Sequence, residues 1–161
     1  MRGFEKISFE QFKKDILDDN KVYEEYTLPK RNTKYSAGYD FSVISDYVIK
    51  PGEIAKIPTG IKSYMGEDEV LFIIIRSSLG FKYNARLCNQ VGVIDKDYYN
   101  NESNEGHIWI TLKNEGDKDI VLNKGDHFAQ GIFIKYLTVD DEEEIKSTRT
   151  GGFGSTNKGE C

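Results

Sequence analysis

The sequence predicts a mainly β fold of jelly-roll type, with a short helix before it and a flexible arm after it. Three observations carry that prediction. From residue 23 to 138, short β-rich runs are divided by turns such as Pro51-Gly52, Asn114-Glu115-Gly116 and Asn123-Lys124-Gly125. Residues 70–75 are apolar throughout, which predicts a strand buried on both faces. Ile108-Trp109-Ile110-Thr111-Leu112 instead alternates, which predicts one wetter face. No repeat at a fixed period and no second domain is evident, so residues 1–161 read as one domain.

At the N-terminus, Ser8-Phe9-Glu10-Gln11 has capping-box spacing, and Phe9, Phe12, Ile16 and Leu17 recur on one helical face. About three turns of helix are expected within a helical extension over residues 1–20. Its apolar stripe suits packing on the domain body, or else a partner-binding face.

Apolar residues at 38% and charged residues at 30% fit a globular chain and exclude wholesale disorder. A formal charge of −5 argues against general nucleic-acid binding, which relies on clustered cations. Cys88 and Cys161 suggest neither a disulfide framework nor a metal knuckle, so a reducing cytoplasm is the expected setting. The opening MRGFEKISFEQF has no signal-peptide core, and the apolar run at 70–75 is too short to cross a bilayer.

Asp140-Asp141-Glu142-Glu143-Glu144 reads as a solvated linker, and residues 147–161 as a flexible arm. Phe153 is a lone aromatic among the arm's glycines; either it finds an outside surface or the segment is a disordered terminus. Arg76-Ser77-Ser78-Leu79-Gly80 puts a guanidinium, hydroxyls and backbone amides at the end of a strand. Those groups suit phosphate oxygens, although Ser and Gly also end strands for turn geometry. Residues 89–98 join two apolar stretches through Gly92, as a hairpin would, and end in Asp95, Asp97 and Tyr98. In a continuous strand both acids would share a face and serve a metal or a water; in a turn they would simply be solvated. His107 and His127 lie at no metal or triad spacing and read as packing or surface residues.

Ala37-Gly38-Tyr39-Asp40-Phe41, Arg76-Ser77-Ser78-Leu79-Gly80, residues 89–98, Gly125-Asp126-His127-Phe128-Ala129-Gln130 and Gly151-Gly152-Phe153-Gly154-Ser155-Thr156 resemble, in that order, the motifs of the homotrimeric dUTPase family. The resemblance spans residues 37–156 and leaves the N-terminal helix outside. It implies a jelly-roll subunit, a homotrimer whose sites draw on three chains, and hydrolysis of dUTP to dUMP and pyrophosphate with Mg²⁺. It further implies that Asn89 and the backbone at Gly92 and Ile94 read uracil, and that Tyr98 packs beneath the deoxyribose. Asp95 then orients the attacking water. Arg76, Ser77, Ser78, Gly80 and Gln130 meet phosphates, and Asp40 serves the magnesium region through water. The arm supplies Phe153 for stacking and Arg149, Gly154, Ser155 and Thr156 for phosphates. The chain departs from the family pattern at Ser78, Asn100, Asn101 and Asn157, where Gly is usual, and at His127, where Arg is common. Arg149 also stands one residue nearer Phe153 than usual.

The implied step is attack of water on the α-phosphorus, with Arg and Mg²⁺ offsetting charge repulsion and Asp95 acting as general base. Two alternatives stand beside it. One is a dCTP deaminase-like enzyme, disfavoured by the Ile94-Asp95-Lys96-Asp97-Tyr98 pattern. The other is a nucleotide-responsive regulatory module acting on an unknown protein partner through the N-terminal helix or the 100–106 loop, a role able to coexist with catalysis.

Overall fold

A computed structural model describes residues 1–153. In chain order the elements are β1 (Gly3–Lys6), α1 (Phe9–Asp15), α2 (Asn20–Glu25), β2 (Tyr39–Ser42), β3 (Tyr47–Ile49), β4 (Ile54–Pro58), β5 (Ile61–Tyr64) and β6 (Glu69–Ile75). They continue as α3 (Ser77–Tyr83), β7 (Ala85–Leu87), β8 (Gly92–Ile94), a 3-10 turn at Lys96–Tyr98, β9 (Trp109–Asn114), β10 (Ile120–Leu122) and β11 (His127–Lys135). Strands dominate, as expected. A four-stranded sheet has the order β2-β11-β6-β8 and a three-stranded sheet the order β4-β9-β7; β1-β5 and β10-β3 form two-stranded ribbons. Neighbouring strands in all four sheets run antiparallel.

Alternation along the strands decides which side chains meet. Phe41, Leu71, Ile73 and Ala129 from the four-stranded sheet join Ile57, Leu87, Ile110 and Leu112 from the three-stranded one in a single buried cluster. β9 shows the expected period of two, with Ile110, Leu112 and Asn114 buried and Trp109, Thr111 and Lys113 only partly so.

β6 departs from its expected burial. Leu71 and Ile73 are enclosed, whereas Phe72 and Ile74 on the opposite face are half-buried. The pairing aligns Ile132, Phe72 and Val93 in one row across that outer face. Val93 is 55% exposed and Ile134 41% exposed, so the described residues of a single chain leave this apolar face without a covering layer.

The N-terminal segment is also more varied than a single helix. Residues 3–6 form a strand that pairs with β5, from Gly3 opposite Tyr64 to Lys6 opposite Ile61. Ser8 caps α1 by accepting from the Gln11 N–H at 3.1 Å. The reciprocal half of the capping box is absent: Gln11 donates to Asp15 instead, and the Ser8 N–H donates to Glu105 at 3.0 Å. α1 stops after Asp15, and α2 starts anew with Asp19 accepting from the Val22 N–H. Phe12 is fully buried and stacks on Tyr26, while Phe9, Ile16 and Leu17 pack against the same core. The apolar stripe is thus spent on the chain's own body.

Candidate active site

The segment at 89–98 does not close as a paired hairpin. β7 joins β9 in one sheet, whereas β8 joins β6 in the other, so the intervening turn carries the chain between sheets. Gln90, at φ 65°, makes that turn, and its N–H donates to Leu87 O at 3.0 Å. The crossing opens a cavity lined by Asn89, Gly92, Ile94, Asp95, Tyr98, Trp109 and, from the arm, Arg149 and Phe153. Gly92 lies flush with the floor, where a Cβ would come 3.1 Å from the Cβ of Ile73.

Asp95 and Asp97 do not share the face of a strand. Asp95 precedes the 3-10 turn and Asp97 lies within it. They nevertheless converge on Arg149, whose Nη2 donates to Asp95 Oδ2 at 2.7 Å and whose backbone N–H donates to Asp97 Oδ2 at 2.8 Å. Tyr98 is buried; its hydroxyl donates to His107 O at 2.8 Å and accepts from Asn104 Nδ2 at 2.9 Å. Burial pushes the phenol's pKa up, so it stays neutral. Asn100 takes φ 55°, a left-handed conformation that Asn tolerates better than most residues and that explains its presence where Gly is usual.

Against the Tyr98 ring lies Gly152, where a Cβ would approach Cε2 to 2.8 Å; only Gly lets the arm lie this close. Phe153 follows at the cavity lining, 76% exposed as a residue, and the Lys56 ammonium stands 5.5 Å from its ring centroid. Gly154, Ser155 and Thr156 lie outside the described residues, as does Asn157. The acidic run at 140–144 is exposed.

A second group gathers elsewhere. Arg76 Nε meets Asp40 Oδ1 at 3.0 Å, Asn32 Nδ2 donates to Asp40 Oδ2 at 2.6 Å, and His127 Nδ1 stands 3.6 Å from that oxygen. Asp40 is buried, whereas Ser77 and Ser78 are exposed in the first turn of α3 and Gly80 is half-buried. Gln130 reaches the same strand end, its Nε2 donating to Ile75 O at 3.5 Å. Gly38 makes room for it: a Cβ there would fall 2.1 Å from Gln130 Oε1.

These two groups do not meet within one chain. Leu71 pairs with Ile94, so Asp95 follows at the start of β6, while Arg76 follows its other end. Six residues of strand at 3.3–3.4 Å each set the two apart by roughly 20 Å. Among the described residues, no three His, Cys, Asp or Glu side chains converge to hold a metal ion. Asp40 is already engaged by Arg76, a donor set that fits a metal carried mainly by the oxygens of a bound ligand.

The dUTPase family profile matches residues 24–157. The chain belongs to the dUTPase family. The deoxyuridine 5'-triphosphate nucleotidohydrolase of Lactococcus lactis subsp. lactis is 50% identical over 130 residues, covering 80% of this chain and 87% of that protein. That of Shewanella halifaxensis is 36% identical over 143 residues, covering 84% and 90%. The crystal structure of the Streptococcus mutans dUTPase superposes with a TM-score of 0.69 at 42% identity, covering 86% of this chain and 98% of that one. The jelly-roll dUTPase fold and the reaction follow: the enzyme hydrolyses dUTP to dUMP and pyrophosphate. The deaminase alternative falls away. Among the described residues, no helix is long and apolar enough to cross a membrane.

Sequence reasoning missed the surroundings of Tyr98. His107 is fully buried, with Nδ1 2.6 Å from Asp15 Oδ2, and Asn104 holds the Tyr98 hydroxyl. Ninety-two positions separate Asp15 from His107, so no local spacing signals their contact.

Proposed function

We propose that dUTP is hydrolysed in a site assembled from several copies of the chain, in a homotrimer, with Asp95 and Arg76 coming from different subunits. The separation of those two residues along β6, roughly 20 Å, carries this reading, because Asp95 must serve the water at the α-phosphorus while Arg76 meets oxygens of the same short triphosphate. The uncovered row of Ile132, Phe72 and Val93 supplies apolar surface for a second copy to bury.

In this reading uracil enters beside Asn89 and the backbone of Gly92 and Ile94, and Tyr98 closes the space under the sugar. The neutral, doubly hydrogen-bonded phenol is held rigidly enough to exclude a 2′-hydroxyl. Phe153 covers the base from the arm. Arg76, Ser77, Ser78, Gly80 and Gln130 of another copy receive the phosphates, together with Arg149, Gly154, Ser155 and Thr156. Asp95 accepts a proton from water as its oxygen bonds to the α-phosphorus and the bond to the pyrophosphate oxygen breaks. Mg²⁺ held by the triphosphate would neutralise charge on the leaving group, with Asp40 orienting its water shell. The chain acts as one domain, in the cytoplasm.

Subunit mixing tests the shared site. Arg76→Ala and Asp95→Asn proteins, each inactive alone, should regain part of the wild-type rate when dissociated and reassembled together. No recovery from verified mixed oligomers would place both residues in one chain's site.

A further inference from the structure

The N-terminal segment and the 99–107 loop are built into one another. Ser8 donates to Glu105 through its N–H at 3.0 Å and also through its hydroxyl. Tyr99 donates to Glu5 at 2.7 Å, and Lys62 bridges Asn100 at 2.7 Å and Glu105 at 3.5 Å. The innermost link is His107, whose Nε2 accepts from the Gly60 N–H at 2.9 Å. A backbone N–H can only donate, so the ring carries its proton on Nδ1 and donates it to Asp15. Burial lowers the imidazole's pKa against the opposing pull of Asp15, in keeping with a neutral ring.

Both faces of this loop residue are in use. The His107 side chain is held by Asp15 and Gly60, while its carbonyl accepts the hydroxyl of Tyr98. Its ring also lies 5.1 Å from that of Trp109, which lines the cavity. Asn104 completes the frame, donating to the Tyr98 hydroxyl and accepting from Asn101 and Gly106. Asp15 precedes the segment matched by the family, which begins at residue 24. A residue ahead of the profile-matched segment is thus linked, through His107, to the residue assigned to the sugar.

We propose that Asp15 and His107 are positioning residues that hold Tyr98 in place and so sharpen the enzyme's preference for deoxyribose over ribose. The role does not require either side chain to touch the nucleotide. If Asp15 no longer holds the imidazole, His107 and its carbonyl gain freedom, the Tyr98 hydroxyl loses a fixed acceptor, and the space under the sugar widens. UTP then fits at little cost, whereas dUTP loses only part of its alignment. The proposal rests on the reading of Tyr98 as the residue beneath the sugar.

The test compares kcat/KM for dUTP and UTP in wild type, Asp15→Ala, Asp15→Asn and Tyr98→Ala, alongside thermal melting. Asp15→Ala should narrow the dUTP-to-UTP preference about tenfold, chiefly through a lower KM for UTP. Asp15→Asn keeps an oxygen acceptor for the His107 N–H and should retain most of the preference. A purely structural role would lower the melting temperature of Asp15→Ala and leave the preference unchanged, which would overturn the proposal. If Asp15→Ala does not fold, Glu105→Gln loosens the same loop from Ser8 and Lys62 and is held to the same criterion. Should Tyr98→Ala itself keep the wild-type preference, the sugar assignment fails and the brace with it; relaxation in Tyr98→Ala alone removes only the brace.

Discussion

The guanidinium of Arg149 reaches Asp95 at 2.7 Å, joining the arm to the acid assigned to the attacking water. Both side chains stay partly open to solvent, at 24% and 44% exposure. Such a pair contributes only about 0.2–1 kcal/mol, so a bound triphosphate can readily take Arg149 away from Asp95. The contact can thus hold the arm near the cavity without blocking the site.

Asp95→Asn should preserve the fold and bind dUTP, yet lower kcat by roughly 10²–10⁴-fold, because the amide keeps the size but cannot take the proton. Steady-state kinetics and calorimetry with a non-hydrolysable analogue separate the two effects. A wild-type kcat would remove Asp95 from its role.

Ending the chain at Ser147 should leave the melting temperature nearly unchanged, since the arm is joined to the body through the exposed stretch 136–148 and its Arg149–Asp95 pair is partly open to solvent. Activity should fall at least roughly 5- to 150-fold, the equivalent of about 1–3 kcal/mol of base stacking by Phe153. Phe153→Trp should retain activity and report closure by a fluorescence change on analogue binding. Full activity in the truncated enzyme would show the arm to be dispensable.

Phe72→Glu or Val93→Lys should convert the oligomer to monomers, because each places a charge on the apolar row that a second copy would cover. Analytical ultracentrifugation would read the mass, and dUTP turnover should disappear with assembly. An intact, active oligomer would move the interface to another face.

Tyr98→Phe should destabilise the enzyme by about 1–3 kcal/mol, since it removes two buried hydrogen bonds and leaves the His107 carbonyl and the Asn104 amide only their long 3.4 Å contact with each other. Urea denaturation at fixed protein concentration measures this. No loss would mean that water replaces the hydroxyl.

Glu69 sets an acid limit. The Arg2 guanidinium, helped by the Gly66 N–H, pulls its carboxyl from the ordinary 4.5 to about 2. Because the folded pKa is depressed, the pair stabilises fully above pH 4.5 and is lost as pH falls towards 2. Melting followed across that window should decline less steeply in Glu69→Gln than in wild type. Parallel curves would assign the acid loss to other carboxylates.

Much of this enzyme was legible along the chain. The β-rich spacing, the alternation at 108–112, the Ser8 cap and the ordered motifs all depend on neighbours within a few residues, where period and turn chemistry operate. The sequence by itself thus determined the fold class, the family and the residues from which a nucleotide site is chosen. Tertiary structure decided the partners. It sent β7 and β8 to different sheets, set Arg76 and Asp95 at opposite ends of β6, and brought Asp15 to His107. Local propensity carries no information about those choices, because each depends on which distant surfaces exclude water together and which buried polar groups must then find each other.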